Sequence, residues 1–390
     1  MLKDKIRELE KKYNCLFFSE LVLNHTSYDS EWLVDTPGAT YNLQNTPQLT
    51  SAYELDNALL QFSRRLSKGE IADYPKTKVE NEEDLNKLMT IIENKVVLPL
   101  NLHEYFLVDV PKYRAKFIEY ITKNHPELNL PEKYFEDEED MFNIFKPDKL
   151  YTLVDIMEKN VKNLGAKKYG AEIDLKAVAK YFLDNPKKGS IEQFELALKK
   201  LNEKNESVAR GYVRDALTSI RNNIRYKKIE CKAPEVTWTN HLVDPYFGTL
   251  PDSTIVAHNG WIWNGDPTED FATSNNFQYL RRNLVIWGDL IKLRYGESKK
   301  DCPALWKRMK QYVKRAAEIF HGIRLDNAHS TPMHVAEYFV EKARKVNPNI
   351  FVFSELFTGS KELDALYSKR IGLNALIREA SRVFRIIWHY

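Results

Sequence analysis

In the last ninety or so residues the spacing of apolar positions switches back and forth between two periods. Leu305, Met309, Tyr312, Ala316 and Phe320 recur at helical intervals, so "CPALWKRMKQYVKRAAEIF" predicts an amphipathic helix. "IRLD" then reads as a strand, and "STPMHVAEYFVEKARKV" as a helix with Ser330 or Thr331 at its cap and Pro332 in its first turn. "NIFVFSELF" predicts a further strand, and "SKELDALYSKR" a helix capped by Ser360. Helices alternating with strands in this way imply parallel strands and an α/β class. Near the start, residues 15–23 form a short apolar run ending at Asn24, as expected of a strand covered on both faces.

Between these parts the period is helical. Leu55, Leu59, Phe62 and Leu66 share a stripe, as do Leu85, Leu88 and Ile92, and the segment from Ile191 to about Arg225 predicts a helix broken near Asn205. "YFEDEEDMF" reads as a solvated acidic face or loop. Residues 236–300 look irregular and rich in Trp, Asn, Asp and Gly; long connections of that kind are functional or disordered, and Trp238, Trp261 and Trp263 argue against disorder. The pattern therefore divides the chain into a first strand segment (1–50), a helical stretch (51–235), and an aromatic loop followed by βα units (236–390).

Composition narrows the class of partner. The 390 residues are 43% hydrophobic and 29% charged, a globular balance sufficient for one large domain or two to three ordinary ones. With 58 basic against 55 acidic residues, nucleic acid and anionic membranes are not the expected partners. No apolar run approaches the roughly 20 residues that span a bilayer. Cys15, Cys231 and Cys302 are sparse, odd in number and not in metal-ligand spacing, which suggests reduced thiols and a cytoplasmic protein. "MLKDKIRELEKKYN" is a charged helix, not a signal peptide, and "NLGAKKYGAE" lacks dinucleotide or phosphate-loop spacing, which argues against a phosphate site there.

The candidate chemistry lies at strand ends. Asp326 and Glu355 each close a predicted parallel strand, the end at which ligands gather in α/β folds. Alternation puts Gly322, Arg324 and Asp326 on one face, and Phe351, Phe353 and Glu355 on another single face; Asn24 and His25 follow the first strand at the same end. Two carboxylates flanking a site are the minimum for glycoside chemistry. Arg324 should keep Asp326 ionised, and the apolar neighbours Phe353, Leu356 and Phe357 should raise Glu355 toward a general acid. The same residues also fit a structural Arg324–Asp326 ion pair with Glu355 as a helix-cap acid. A metal centre built from His25, Asp326, His329, His334 and Glu355 is disfavoured because His329 and His334 lie five apart and do not share a helix face.

"ELVLNH", "GIRLDNAHS" and "FVFSELF" resemble, in order, three motif regions of the α-amylase superfamily of glycoside hydrolases. "NHTSYDSEW", "YNLQNTPQL", "HNGWIWNGDP", "LRRNLVIWGDLIKLRYG" and "SELFTGSKELD" narrow the resemblance to the glucanotransferase part of the eukaryotic glycogen debranching family. The resemblance implies a partial (β/α)8-type barrel: about three parallel strands, the third to fifth, with a helical insertion between the first two. It implies a retaining 4-α-glucanotransferase in glycogen breakdown, with Asp326 as nucleophile, Glu355 as acid/base, and Asn24, His25, Arg324, His329, Asn259 and Trp261 binding the sugar. The substrate would be glycogen or its α-1,4-glucan limit dextrin, with no metal and no cofactor. Glu20 stands where the superfamily usually carries aspartate, and the superfamily's third carboxylate would fall beyond Tyr390. The remainder of a longer chain, including the family's amylo-α-1,6-glucosidase part, is therefore an expected partner, and the chain alone is expected to be a poorly soluble, inactive fragment.

Overall fold

Eight strands build two four-stranded sheets in the computed structural model, which describes residues 2–133, 147–185, 189–262, 266, 268–273 and 275–377. In chain order they are β1 (Phe18–Val22), β2 (His25–Ser27), β3 (Phe247–Thr249), β4 (Ile255–Trp261), β5 (Val285–Lys292), β6 (Gly322–Asp326), β7 (Phe351–Glu355) and β8 (Ala375–Ile377). The chain divides into two units. The first comprises Met1–Thr46, Asp244–Tyr279 and Asn283–Tyr390, and the second Pro47–Val243 with Leu280–Arg282.

The first unit is α/β. Its parallel sheet has the order β1-β6-β7-β8, with Val22 beside Asp326, Arg324 beside Phe353 and Glu355 beside Ile377. Leu21, Ile323, Leu325 and Val352 are buried in a core shared with Val313, Phe339 and Tyr367 of the helices Pro303–Ile319, Met333–Val346 and Lys361–Ile371. Alternation then turns Phe18, Arg324, Asp326, Phe353 and Glu355 to the other face. There Phe18 packs edge-on against Phe353, ring centroids 5.7 Å apart, and any Cβ at residue 322 would strike the Phe18 ring, which is why glycine stands there.

This arrangement corrects the expectation that the first strand is covered on both faces. Phe18 is 43% exposed and Phe351 42%, because the helices cover only the opposite side of the sheet. The sheet also holds a fourth parallel strand, β8, beyond the three expected; its three residues are too few for an alternating pattern to stand out. Pro332 with no side-chain cap, in place of Ser330 or Thr331, precedes the helix at Met333, whereas Ser360 does cap the next one through Leu363 N–H.

Residues 236–300 are not an irregular connection. They supply three strands of the second sheet, which is antiparallel with the order β2-β5-β4-β3 and a register shift between His258 and Asn259. The chain passes from one sheet to the other through Leu23 and Asn24. Tyr295 Oη–H donates to the Leu23 carbonyl at 2.7 Å, and Leu293 N–H to that of Asn24 at 2.9 Å, which fixes His25 beside the end of β1.

The second unit is helical. Asn81, Asp109, Asp174 and Ser190 each accept a hydrogen bond from the first turn of the helix they precede. Its longest helix, Ile191–Ile224, runs through Asn205 without the expected break. Asn205 Nδ2 donates instead to the Phe106 carbonyl at 3.1 Å, and Asn202 makes hydrogen bonds with both backbone groups of Val108, so these polar residues dock a neighbouring segment. The acidic run at 134–142 lies outside the described residues, and no helix among those described is long and apolar enough to cross a membrane.

At the centre of this unit the fully buried Phe117 stacks on Phe194 with ring centroids 4.1 Å apart. Phe117→Ala should therefore destabilise the unit by about 3–5 kcal/mol. Urea unfolding followed by helical circular dichroism measures this, and a loss below about 1 kcal/mol would contradict the described packing.

Candidate active site

Adjacent strands bring three acids to one base. β1 carries Glu20, β6 carries Arg324 and Asp326, and β7 carries Glu355, all on the face turned away from the helices. The guanidinium donates from Nη1 to Asp326 Oδ1 at 3.0 Å, lies 3.2 Å from Glu355 Oε2 through Nη2 as an ion pair, and also pairs with Glu20. Asp326 and Glu355 side chains are 15% and 20% exposed, enough enclosure for these charges to feel one another strongly.

Asn327 joins the two carboxylates from the other side. Its backbone is left-handed, with φ 45°, an uncommon conformation that Asn tolerates better than most residues. In that conformation its N–H donates to Glu355 Oε2 at 3.3 Å and its Nδ2 to Asp326 Oδ2 at 3.1 Å. Burial raises the Glu355 carboxyl above its ordinary range, and the neighbouring Asp326 pushes the same way, against the Asn327 N–H and Arg324. That is the direction expected of an acid that keeps its proton.

Two imidazoles flank the pair. His25 Nδ1 lies 2.6 Å from Asn24 Oδ1, so in the neutral ring Nδ1 carries the hydrogen and Nε2 is left as an acceptor, 3.9 Å from Asp326 Oδ2. Burial lowers the pKa of His25, aided by the Lys292 charge and opposed by Asp326. His329 Nδ1 accepts from the Phe357 N–H at 3.4 Å; its ring stacks on Phe357 and meets Trp261 edge-on at 5.7 Å. Burial pushes its pKa down to about 4.

Other buried polar groups lack partners. Asn24 Nδ2 and both amide atoms of the fully buried Asn259 have no hydrogen-bond partner. Beside His25 a cavity of about 890 Å³ opens, lined by Val22, Trp32, Arg308 and Tyr312 among others. Among the described residues no group of three or more His, Cys, Asp or Glu side chains is placed to hold a metal ion. His334 points elsewhere, its Nε2 3.0 Å from the Gly296 carbonyl.

Asp326, Glu355, Arg324 and His25 are thus brought together directly, and Asn24, His329 and Trp261 are joined to them through His25 and the Asn327–Ser330 turn. Asn327 was not singled out from the sequence. Its signal was an Asn directly after the last residue of a strand, where the chain must turn sharply.

The chain matches the family described as "Glycogen debranching enzyme, glucanotransferase domain" over residues 1–351. It belongs to that family. The glycogen debranching enzyme of Saccharomyces cerevisiae is 38% identical to it over 395 aligned residues, covering 98% of this chain and 25% of the yeast protein. The chain therefore spans about a quarter of the length of that curated relative. In this member of the glucanotransferase family, Glu20 of β1 pairs with the guanidinium of Arg324, its register partner on β6.

The lowered pKa of His329 has a sign that can be checked. The unfolded ring titrates near 6.5 and the folded one near 4, so protonation favours the unfolded chain. Stability that is intact above pH 6.5 should fall as pH drops toward 4, by about 3 kcal/mol more than in His329→Asn. Imidazole NMR should place the His329 midpoint near 4, and a midpoint above 6 would contradict the enclosure described.

Proposed function

We propose that this chain carries the reacting centre of a 4-α-glucanotransferase acting on the α-1,4-linked outer chains of glycogen by retaining double displacement. The observation that supports it most is one guanidinium bound to both Asp326 and Glu355. A shared guanidinium favours the short carboxyl separation, about 5–5.5 Å, of retaining over inverting geometry. The family match supports the substrate class.

In the first step an Asp326 oxygen attacks the anomeric carbon while the glycosidic C–O bond breaks, and the Glu355 proton passes to the leaving oxygen. In the second, a hydroxyl at the end of another glucan attacks that carbon, Glu355 takes its proton, and Asp326 departs as carboxylate. Arg324 aims Asp326 through the hydrogen bond from Nη1 to Oδ1. His25 Nε2 accepts from a sugar hydroxyl while Asn24 Oδ1 holds the His25 ring by accepting from its Nδ1–H, and Trp261 with His329 receives the neighbouring glucose, with Asn259 two residues before Trp261 on β4. Neutral imidazoles suit a transition state in which the sugar itself becomes positive.

In this reading β1, β6, β7 and β8 are four consecutive strands, the third to sixth, of a (β/α)8-type barrel, and polypeptide like that in the rest of the yeast relative supplies the remaining strands and the third carboxylate. The exposed rings of Phe18 and Phe351 favour a second reading, in which the chain by itself binds glucan without turning it over.

Asp326→Asn should retain co-sedimentation with glycogen while transfer among maltooligosaccharides falls by at least about a thousand-fold. Undiminished transfer would remove Asp326 from the reaction, and binding without transfer in both proteins would favour the second reading. Activity should also decline as pH rises through the elevated Glu355 pKa, since the acid is lost on deprotonation, and Glu355→Gln should abolish that limb. An alkaline limb unchanged in Glu355→Gln would assign the proton to another group.

A further inference from the structure

Lys292 ends β5 with its side chain only 2% exposed, and the reaction above makes no use of it. A buried ammonium is costly unless compensated, and those that persist in folded proteins cluster at functional sites. The compensation here is specific. Its Nζ lies 4.1 Å from the centroid of the Phe271 ring and 5.7 Å from that of Tyr41, within the reach of a cation–π interaction. Among the described residues, the hydrogen bond given to this group is to the Ser330 carbonyl, at 3.4 Å. Tyr41 Oη–H donates to Asp270, whose carboxylate is the charge that opposes the lowering of the lysine pKa by burial.

Ser330 closes the short turn that begins immediately after Asp326. At its start the Asn327 N–H holds Glu355, in its middle His329 lies between Phe357 and Trp261, and Thr331 Oγ1–H donates to the Asn327 carbonyl at 3.2 Å. We propose that Lys292 is a positioning residue for the acid pair: anchored under two aromatic faces, it grips the Ser330 carbonyl and so holds the turn that aims Asn327 at Glu355. This rests on the reading of Asp326 and Glu355 as the reacting pair, but the restraint on the turn is measurable without turnover.

The test uses Lys292→Met, which keeps an unbranched side chain one heavy atom shorter and removes the charge and the donor. Hydrogen exchange at the Asn327–Ser330 amides should quicken by about tenfold or more. The His329 midpoint should climb from about 4 toward its ordinary value as the ring loosens from Phe357 and Trp261, with Asp326 and the Glu355 backbone the groups facing it that favour its charged form. In protein competent for transfer, kcat should drop by about ten- to a hundred-fold with KM nearly unchanged. If Lys292→Met does not fold, Phe271→Leu, which keeps the charge and the donor, should give smaller changes in the same direction. Unaltered amide exchange and an unaltered His329 midpoint in a folded variant would overturn the proposal, whatever its melting temperature. Absence of transfer in the unsubstituted chain would favour the second reading of its function and leave these two measurements able to decide the role of Lys292.

Discussion

The site depends on the sharing of one positive charge among three negative ones. Strands in a sheet lie about 4.8 Å apart, so a residue on the middle of three parallel strands can reach side chains on both neighbours. Arg324 is that residue, and its planar, forked guanidinium offers donors to Glu20, Asp326 and Glu355 together, which a lysine could not do with the same geometry. One cation cannot balance three carboxylates in a partly enclosed setting. Among these acids Glu355 has its pKa raised by burial, with Asp326 pushing the same way. Packing, charge and the availability of a proton are therefore set by the same few atoms.

That selection also explains the neighbourhood. Both imidazoles near the pair are shifted toward neutrality by burial, so neither takes over the compensation that Arg324 provides. They remain free to exchange hydrogen bonds with hydroxyl groups, in keeping with a ligand that carries no charge.

Much of this was legible in the sequence because strand alternation is a strict rule. Arg324 and Asp326 had to share a face, and Ile323 and Leu325 had to take the opposite one, where the core lies. The direction expected for Glu355 agrees with the structure, where burial raises its pKa. The second sheet was hidden for physical reasons: β2 and β3 are three residues each, β4 shifts register at Asn259, and a glycine and an aspartate interrupt the apolar run of β5. The exposure of Phe18 was equally unreadable. An apolar residue has the same letter whether a layer covers it or not, and only the placement of helices on one side of the sheet decides the matter. Asn205 misled because a polar residue inside a helix looks like an interruption until its partner, the Phe106 carbonyl, is known.

The left-handed backbone at Asn327 restricts which side chains could replace it. Glycine would adopt that conformation more easily, yet it would forfeit the amide that touches Asp326; alanine would forfeit the amide and strain the turn as well. Aspartate could hold the shape, but would set a further anion beside an already crowded pair. The position is thus constrained from two directions, by chain conformation and by charge.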